Sequence, residues 1–279
     1  MPARILDGRA VADELRAELV AQSNQLRERG VHPRLDIVLV GENDASVAYV
    51  RNLVKVGERA GIAVHVDELA ENATAATVRE RLERLKDDPK VHGVLLQQPL
   101  PAHLSIRSVA DSIPIHKDVD GTHPGSEFVP ATPAAVMLLL EHSPHWPLRG
   151  YNVAVLGRSV VVGIPAAMLA LSHNATVTIL HSKSAGLQPY LRMADVVIAA
   201  TGKPGLVRGD DIKPGATVID VGTTLVDGKL KGDVDFDSAV QVAGAITPVP
   251  GGVGPVTNIA LLRNVMKAAA GAGKSRSRD

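Results

Sequence analysis

Four short runs of aliphatic residues recur between residues 152 and 222: NVAVLG at 152–157, TVTIL at 176–180, DVVIAA at 195–200 and TVIDVG at 217–222. Each is short for a helix and too continuously apolar for a strand with one wet face, so the pattern predicts strands buried on both sides. The segments between them are long enough for crossover helices, which is what parallel pairing requires. The same alternation occurs earlier in the chain. A helix over 9–29 is closed by Gly30, a strand over 34–40 ends at Gly41, and a helix over about 45–60 stops at Gly61. A short strand near 62–66, a helix over about 74–86 and the strand GVLLQ at 93–97 follow.

A Pro- and Gly-rich stretch at 114–133 divides the two series, and a helix over 133–142 opens the second. The expected fold is α/β, with two domains built on parallel-sheet cores and a cleft between them. Residues 1–122 form the first domain, 123–132 a linker and 133–254 the second domain. An apolar helix over 255–270 is expected to join the first domain, and 271–279 to be a flexible tail.

Composition narrows the function classes. Thirty basic residues balance thirty acidic ones and aromatics make up 2%, which argues against a polyanion-binding face or a base-stacking platform. The chain has no cysteine, so disulfides, thiolate nucleophiles and thiolate metal sites are excluded. The ten histidines show no paired ligand spacing, and no metal is expected. The first residues carry charge in every turn and offer no apolar run suited to a signal peptide or a membrane span. The expectation is a cytoplasmic protein that binds neither nucleic acid nor membrane.

The strand NVAVLG runs into RSVVVGIPAAML, so Gly157 and Gly163 bracket a strand-to-helix turn. Such a turn lets a phosphate approach the unpaired N–H groups of a helix start, although the spacing is not G-x-G-x-x-G and an ordinary βα turn also fits. The next strand ends in HSKS, with no acidic residue to receive ribose hydroxyls. Arg158, His181, Ser182 and Lys183 suit a 2′-phosphate, which favours NADP over NAD, and Ser159 is a further expected cofactor contact in a Rossmann-like second domain; a solvated polar loop is the plainer alternative. Later turns bring Gly202, Gly222 and Thr223 to positions where nicotinamide and ribose contacts are expected, though turn geometry alone also accounts for the glycines.

The stretches GENDASVAYV, GVLLQQPLP, HKDVDGTHP, LRGYNVAVLGRSVVVGIPAAML, KPGATVIDVG, LKGDVDF and ITPVPGGVGPVTNIALL together resemble the bifunctional methylenetetrahydrofolate dehydrogenase/methenyltetrahydrofolate cyclohydrolase family. They span nearly the whole chain in order. The resemblance implies a homodimer of one-carbon metabolism that holds a tetrahydrofolate one-carbon derivative between its domains and NADP on the second. It implies oxidation of 5,10-methylenetetrahydrofolate to the methenyl cation, then hydrolysis to 10-formyltetrahydrofolate. Under it Tyr49 packs on the pterin, Gln97 hydrogen-bonds within the catalytic group, and Asp120 pairs with the pterin's donor edge. The loop at 248–255, with Pro248, Gly251 and Gly252, closes over the folate. Read without the family, Tyr49 also fits core packing and Asp120 a turn acceptor.

The pattern breaks at one catalytic position. The resemblance leads one to expect lysine four residues after the tyrosine, one helical turn away on the same face, but Leu53 stands there. An isobutyl group transfers no proton and donates no hydrogen bond. Arg51 and Lys55 lie two residues to either side of Leu53, on roughly the opposite face, so compensation by Lys55 requires local distortion. Gln98 replaces an expected leucine, Thr122 a phenylalanine and Ala131 a cysteine, and the HPGSEFVPATP segment is shorter than expected. The leading expectation is therefore an NADP-dependent dehydrogenase with weak or absent cyclohydrolase activity. The alternatives are the full bifunctional enzyme, or a paralogue that acts on another substrate or binds nucleotide or folate without turnover.

Overall fold

The structure, a computed structural model, describes residues 3–123 and 125–275. In chain order the elements are β1 (Arg4–Ile5), α1 (Gly8–Glu28), β2 (Arg34–Val40), α2 (Asp44–Arg59), β3 (Ala63–Leu69), α3 (Ala75–Asp87) and β4 (Gly93–Leu96). After three short 3-10 turns come α4 (Ala131–Glu141), β5 (Asn152–Leu156), α5 (Gly163–Ser172), β6 (Thr176–Leu180), α6 (Gln188–Met193) and β7 (Val196–Ala199). The chain continues through β8 (Thr217–Asp220), β9 (Thr224–Val226), β10 (Lys229–Lys231), α7 (Phe236–Ala239), β11 (Ala245–Ile246) and α8 (Val253–Ser275). No described helix is long and apolar enough to cross a membrane.

The chain divides into two compact units. The small-sheet unit comprises Glu14–Ala131 and the chain from Asn258 onward. Its sheet is parallel, in the order β3-β2-β4. β2 is central, and six of its seven residues are buried, which is why its sequence is almost continuously apolar. Asp36, the one charged residue among the six, accepts two 2.7 Å hydrogen bonds from the Arg34 guanidinium. Val38, Val40, Val94 and Leu96 pack against Val78 and Leu82 of α3. Toward α2 the fit is close: a side chain at Gly57 would collide with Val64 and approach Leu262 of α8. Asn264 of α8 ties down the loop after β4 by donating to the carbonyls of Val119 and Val129 at 2.8 and 2.9 Å. Lys117 is buried in that same loop, and its Nζ donates to the carbonyls of Leu85, Lys86 and Asp88, each at 2.8 Å. A cation is thereby fixed at the C-terminus of α3, where unpaired carbonyls favour one.

The large-sheet unit comprises the N-terminal stretch up to Asp13 and Thr132–Thr257. Its six strands run in the order β1-β11-β8-β7-β5-β6, every neighbouring pair parallel. β7 and β8 are buried throughout. Val197, Ala199 and Val218 join Ala154, Leu156, Leu191, Ile212, Val234 and Ile246 in one core. β9 and β10 form a separate antiparallel hairpin.

Four features differ from the sequence expectations. Residues 1–122 are not one unit, because Arg4 and Ile5 of β1 pair with Ala245 and Ile246 of β11 in the large sheet; a two-residue strand carries no periodicity to read. β3 extends to Leu69 instead of ending near 66, since its edge position tolerates the charged residues that interrupt the apolar run. α4 begins at Ala131, inside the expected linker. α8 continues to Ser275, so the expected flexible tail is helical over 271–275, and 276–279 lie outside the described residues.

Candidate active site

Three of the expected folate-side residues lie in the small-sheet unit. Tyr49 is on α2, Gln97 follows β4 directly, and Asp120 is in the loop that returns beside β4. The return is fixed by a parallel bridge between Val94 and Asp118, which brings the KDVD segment alongside the strand. Asn43 starts α2, its side chain accepting the Ser46 N–H at 3.1 Å. The N–H of Gln97 donates to Val38 of β2 at 2.9 Å, and its Nε2 donates to the Gln98 carbonyl at 2.5 Å. The Ser46 hydroxyl reaches the same carbonyl at 3.4 Å. Gln97 Oε1 is buried with no hydrogen-bond partner in the protein. A buried acceptor without a partner is costly unless a ligand or water supplies the donor.

The electrostatics bring Tyr49 and Asp120 together. The phenol is pushed well above its ordinary range, first by burial and then by the negative charge of Asp120. Asp120 is itself raised to about 7, by burial and by repulsion from Asp118, with the Thr122 side chain pulling it back down. Asp118 is also raised by burial, opposed by N–H donation from His123 at 2.7 Å and Thr122 at 3.1 Å. A carboxyl with a pKa near 7 is poised between donor and acceptor at neutral pH.

Leu53 lies one turn beyond Tyr49 and is 0% exposed. Arg51 and Lys55 are both exposed. Lys55, the candidate compensating group whose role would need local distortion, is on the solvent face of α2 and not beside Leu53. The remaining folate candidates fall in the large-sheet unit, between β11 and α8. There Gly251 has φ +107°, and a side chain at Gly252 would collide with Pro248 and Thr247.

The nucleotide candidates form a row. β6, β5, β7 and β8 are adjacent, with Leu180, Leu156, Ala199 and Asp220 in register at their C-terminal ends. The turns beginning at His181, Gly157, Ala200 and Val221 therefore leave the same edge, where open parallel sheets bind ligands. Gly157 has φ +118°, and a side chain there would collide with the Ala200 carbonyl; one at Gly163 would collide with the Gly157 carbonyl. Only glycine fits either position. Ser159 Oγ accepts the N–H groups of Val162 and Gly163, both at 3.2 Å, and so shapes the start of α5. Arg158, Ser159, Ser182 and Lys183 are exposed, and His181 is half-buried. His181 Nδ1 accepts the Lys183 N–H at 3.1 Å, which leaves Nε2 carrying the proton of the neutral ring. Gly202 and Thr223 are exposed and Gly222 is buried. Narrow glycine turns, a helix start and basic side chains with no carboxylate among them fit a phosphorylated dinucleotide. Among the described residues no group of acidic or histidine side chains is placed to hold a metal.

Asp220 and Asp233, which sequence reasoning did not single out, are both buried beneath these turns. The signal available was a carboxylate closing the apolar strand TVID and another in GDVDF. A charge in such a setting is retained only where it accepts several hydrogen bonds.

A dinucleotide-type α/β unit joined to a second α/β unit that carries a Tyr–Gln–Asp group defines a cofactor-dependent enzyme class. Residues 6–120 match the description "Tetrahydrofolate dehydrogenase/cyclohydrolase, catalytic domain", and 130–272 match "Tetrahydrofolate dehydrogenase/cyclohydrolase, NAD(P)-binding domain". The bifunctional protein FolD of Macrococcus caseolyticus is 45% identical, the alignment covering 96% of this chain and 98% of that one. The crystal structure of the bifunctional FolD methylenetetrahydrofolate dehydrogenase/cyclohydrolase from Campylobacter jejuni superposes with a TM-score of 0.93 at 39% identity, covering 96% of this chain and 99% of that one. The Trypanosoma brucei methylenetetrahydrofolate dehydrogenase-cyclohydrolase, solved with NADP and an inhibitor, gives a TM-score of 0.91 at 37% identity over 100% of both chains. The chain belongs to the tetrahydrofolate dehydrogenase/cyclohydrolase family.

The coupling of Tyr49 to Asp120 is open to direct test. With Tyr151 and Tyr190 changed to phenylalanine, ultraviolet difference absorbance follows the Tyr49 phenol alone. Asp120→Asn removes a negative charge, so it lowers the Tyr49 titration, which stays above the ordinary range because burial persists. A titration unmoved by the substitution contradicts the pairing.

Proposed function

We propose that this protein oxidises 5,10-methylenetetrahydrofolate with NADP and hydrolyses the methenyl product weakly or not at all. The observation that carries the second half is Leu53: it is fully buried one turn from Tyr49, while Arg51 and Lys55 are exposed elsewhere on α2. Retention of the first half is supported by the turns at Gly157, Gly163 and Gly202, which keep the geometry of a nucleotide site.

A bound NADP supplies the hydride acceptor for the methylene carbon. In this reading Arg158, Ser159, His181, Ser182 and Lys183 hold its phosphates, and Gly202, Gly222 and Thr223 line its nicotinamide end. Tyr49 lays an apolar ring with a polar tip against the pterin. Asp120, when ionised, accepts from the pterin's donor edge, and Gln97 Oε1 takes a donor it lacks in the protein alone. Pro248, Gly251 and Gly252, in the loop before α8, are folate contacts in this reading. Loss of hydride breaks one C–H bond and needs alignment more than proton transfer. Hydrolysis adds water to the methenyl carbon, removes a proton from that water and delivers one to the departing ring nitrogen. Leucine can do neither. A positioned acid or base is worth roughly 10² to 10⁴-fold, which sets the size of the expected defect.

A second reading, full bifunctionality, is favoured by the relatives named as bifunctional at 45% identity and 39% identity. Product analysis separates the two. With 5,10-methylenetetrahydrofolate and NADP, the proposal expects NADPH and accumulating methenyl product, with 10-formyl product forming at the enzyme-free rate. Matched NADPH and enzyme-dependent 10-formyl formation contradicts it, and NADP binding without NADPH formation points to another substrate or a binding role.

The proposed assembly is a homodimer through the large-sheet unit. Ile164, Met168 and Leu171 present one face of α5 to solvent at 41%, 58% and 54% exposure, and Ile179 lies on β6, the edge of the sheet. Contiguous apolar exposure of this kind marks an association surface. Sedimentation velocity is expected to give twice the mass of one chain, reduced to one by Met168→Glu. A monomeric wild-type chain overturns the assignment.

A further inference from the structure

Beneath the turns at the C-terminal ends of β7 and β8 lie two buried carboxylates that touch neither solvent nor, in the reading above, the ligand. Asp233 is 0% exposed. Its Oδ2 accepts the N–H of Thr201, the Thr201 hydroxyl at 3.0 Å and the N–H of Gly202 at 3.0 Å. Three donors from one turn thus converge on a single oxygen. Asp220, at the end of β8, accepts the N–H groups of Gly222 and Asp233 on Oδ1, both at 2.9 Å, and that of Val234 on Oδ2 at 3.0 Å. The two glycines flanking this pair allow it to form. A side chain at Gly222 would meet the Asp233 carboxylate, and one at Gly232 the Asp220 carboxylate.

The chain of bonds runs from the Gly222 turn through Asp220 to the backbone of Asp233, and from the Asp233 side chain to the Thr201–Gly202 turn. The other oxygen, Asp233 Oδ1, is buried without a partner. Desolvating a carboxylate and leaving one of its oxygens unsatisfied is expensive, so the arrangement costs stability. It gives in return a fixed spacing between two turns that leave adjacent strands. Neutral acceptors hold N–H groups less firmly than an ionised carboxylate does.

We infer that Asp233 is a positioning residue for the nicotinamide end of the dinucleotide site, setting the Thr201–Gly202 turn, and that Asp220 locks this turn to the one at Gly222. The inference rests on the proposed NADP site, and it adds a residue that acts through the backbone of others. It also separates the two ends of the ligand. The turns at Gly157 and His181, which would receive the adenosine phosphates, carry no bond to either carboxylate.

The test compares binding of NADP and of 2′,5′-ADP, which lacks the nicotinamide and its ribose, by calorimetry on Asp233→Ala and Asp233→Asn. Circular dichroism and thermal unfolding check that each variant is folded. Asp233→Ala is expected to weaken NADP on the order of tenfold and to leave 2′,5′-ADP within about twofold of wild type. Asp233→Asn retains an acceptor oxygen and recovers part of the loss. Equal weakening of both ligands, or weakening of neither, overturns the inference. If Asp233→Ala does not fold, Thr201→Val removes one of the three donors, and NADP is expected to weaken about two- to threefold with 2′,5′-ADP unchanged; no change overturns it. A wild-type protein that binds neither ligand removes the cofactor reading itself and this inference with it.

Discussion

Main-chain hydrogen bonds between parallel strands place the ends of neighbours level, and in the large sheet this ladder continues just beyond the strand ends. The N–H of Gly157 donates to Leu180, that of Ala200 to Leu156, and that of Val221 to Ala199, each at 2.8 Å. Those bonds cross four adjacent strands and hold the first residues of the turns at Gly157, Ala200 and Val221 at one edge. The glycines, basic side chains and buried carboxylates of the nucleotide site all depend on that alignment. A slip of one residue would turn every strand side chain to the opposite face, which two buried faces forbid. Hydrophobic burial therefore fixes the register, and the register fixes the site.

The small-sheet unit uses the same logic with fewer strands and a more charged site. Lys117 anchors the loop after β4 to the end of α3, and the parallel bridge at Val94 and Asp118 sets where Asp120 emerges. Three acidic or phenolic groups are pushed toward their neutral forms there by burial, and Tyr49 and Asp120 also by a neighbouring carboxylate's charge. The small-sheet unit thus carries groups suited to recognise a polar heterocycle. Position 53, by contrast, is apolar and sealed from solvent. Recognition and proton transfer are separable in such a site, because they rest on different side chains.

Much of this was legible in the sequence because burial on both faces of a parallel strand leaves an unmistakable apolar run. The strands at 34–40, 152–156 and 217–220 and the helices between them follow from that pattern and from the glycines that end them; TVTIL at 176–180 is also a strand, but as the edge of its sheet it buries only Leu180 and not both faces. Two-residue strands were not legible: β1 gains its identity only from pairing with β11, more than two hundred residues away in sequence. Lys55 could be placed on the wrong face of α2 by helical geometry alone, and its exposure agrees. Asp220 and Asp233 were hidden for another reason. Their roles come from accepting main-chain N–H groups across thirteen or more residues, and no spacing rule reports that.

In the proposed function, one missing amine at position 53 separates the two reactions of this family. Leu53→Lys tests it most directly, with folding checked by thermal unfolding and both reactions followed in the same sample. Enzyme-dependent 10-formyl formation is expected to rise by roughly 10² to 10⁴-fold over the starting protein while NADPH formation changes little. A folded Leu53→Lys protein whose hydrolysis rate stays where it was, or a starting protein that already hydrolyses the methenyl product as fast as it forms, would contradict it.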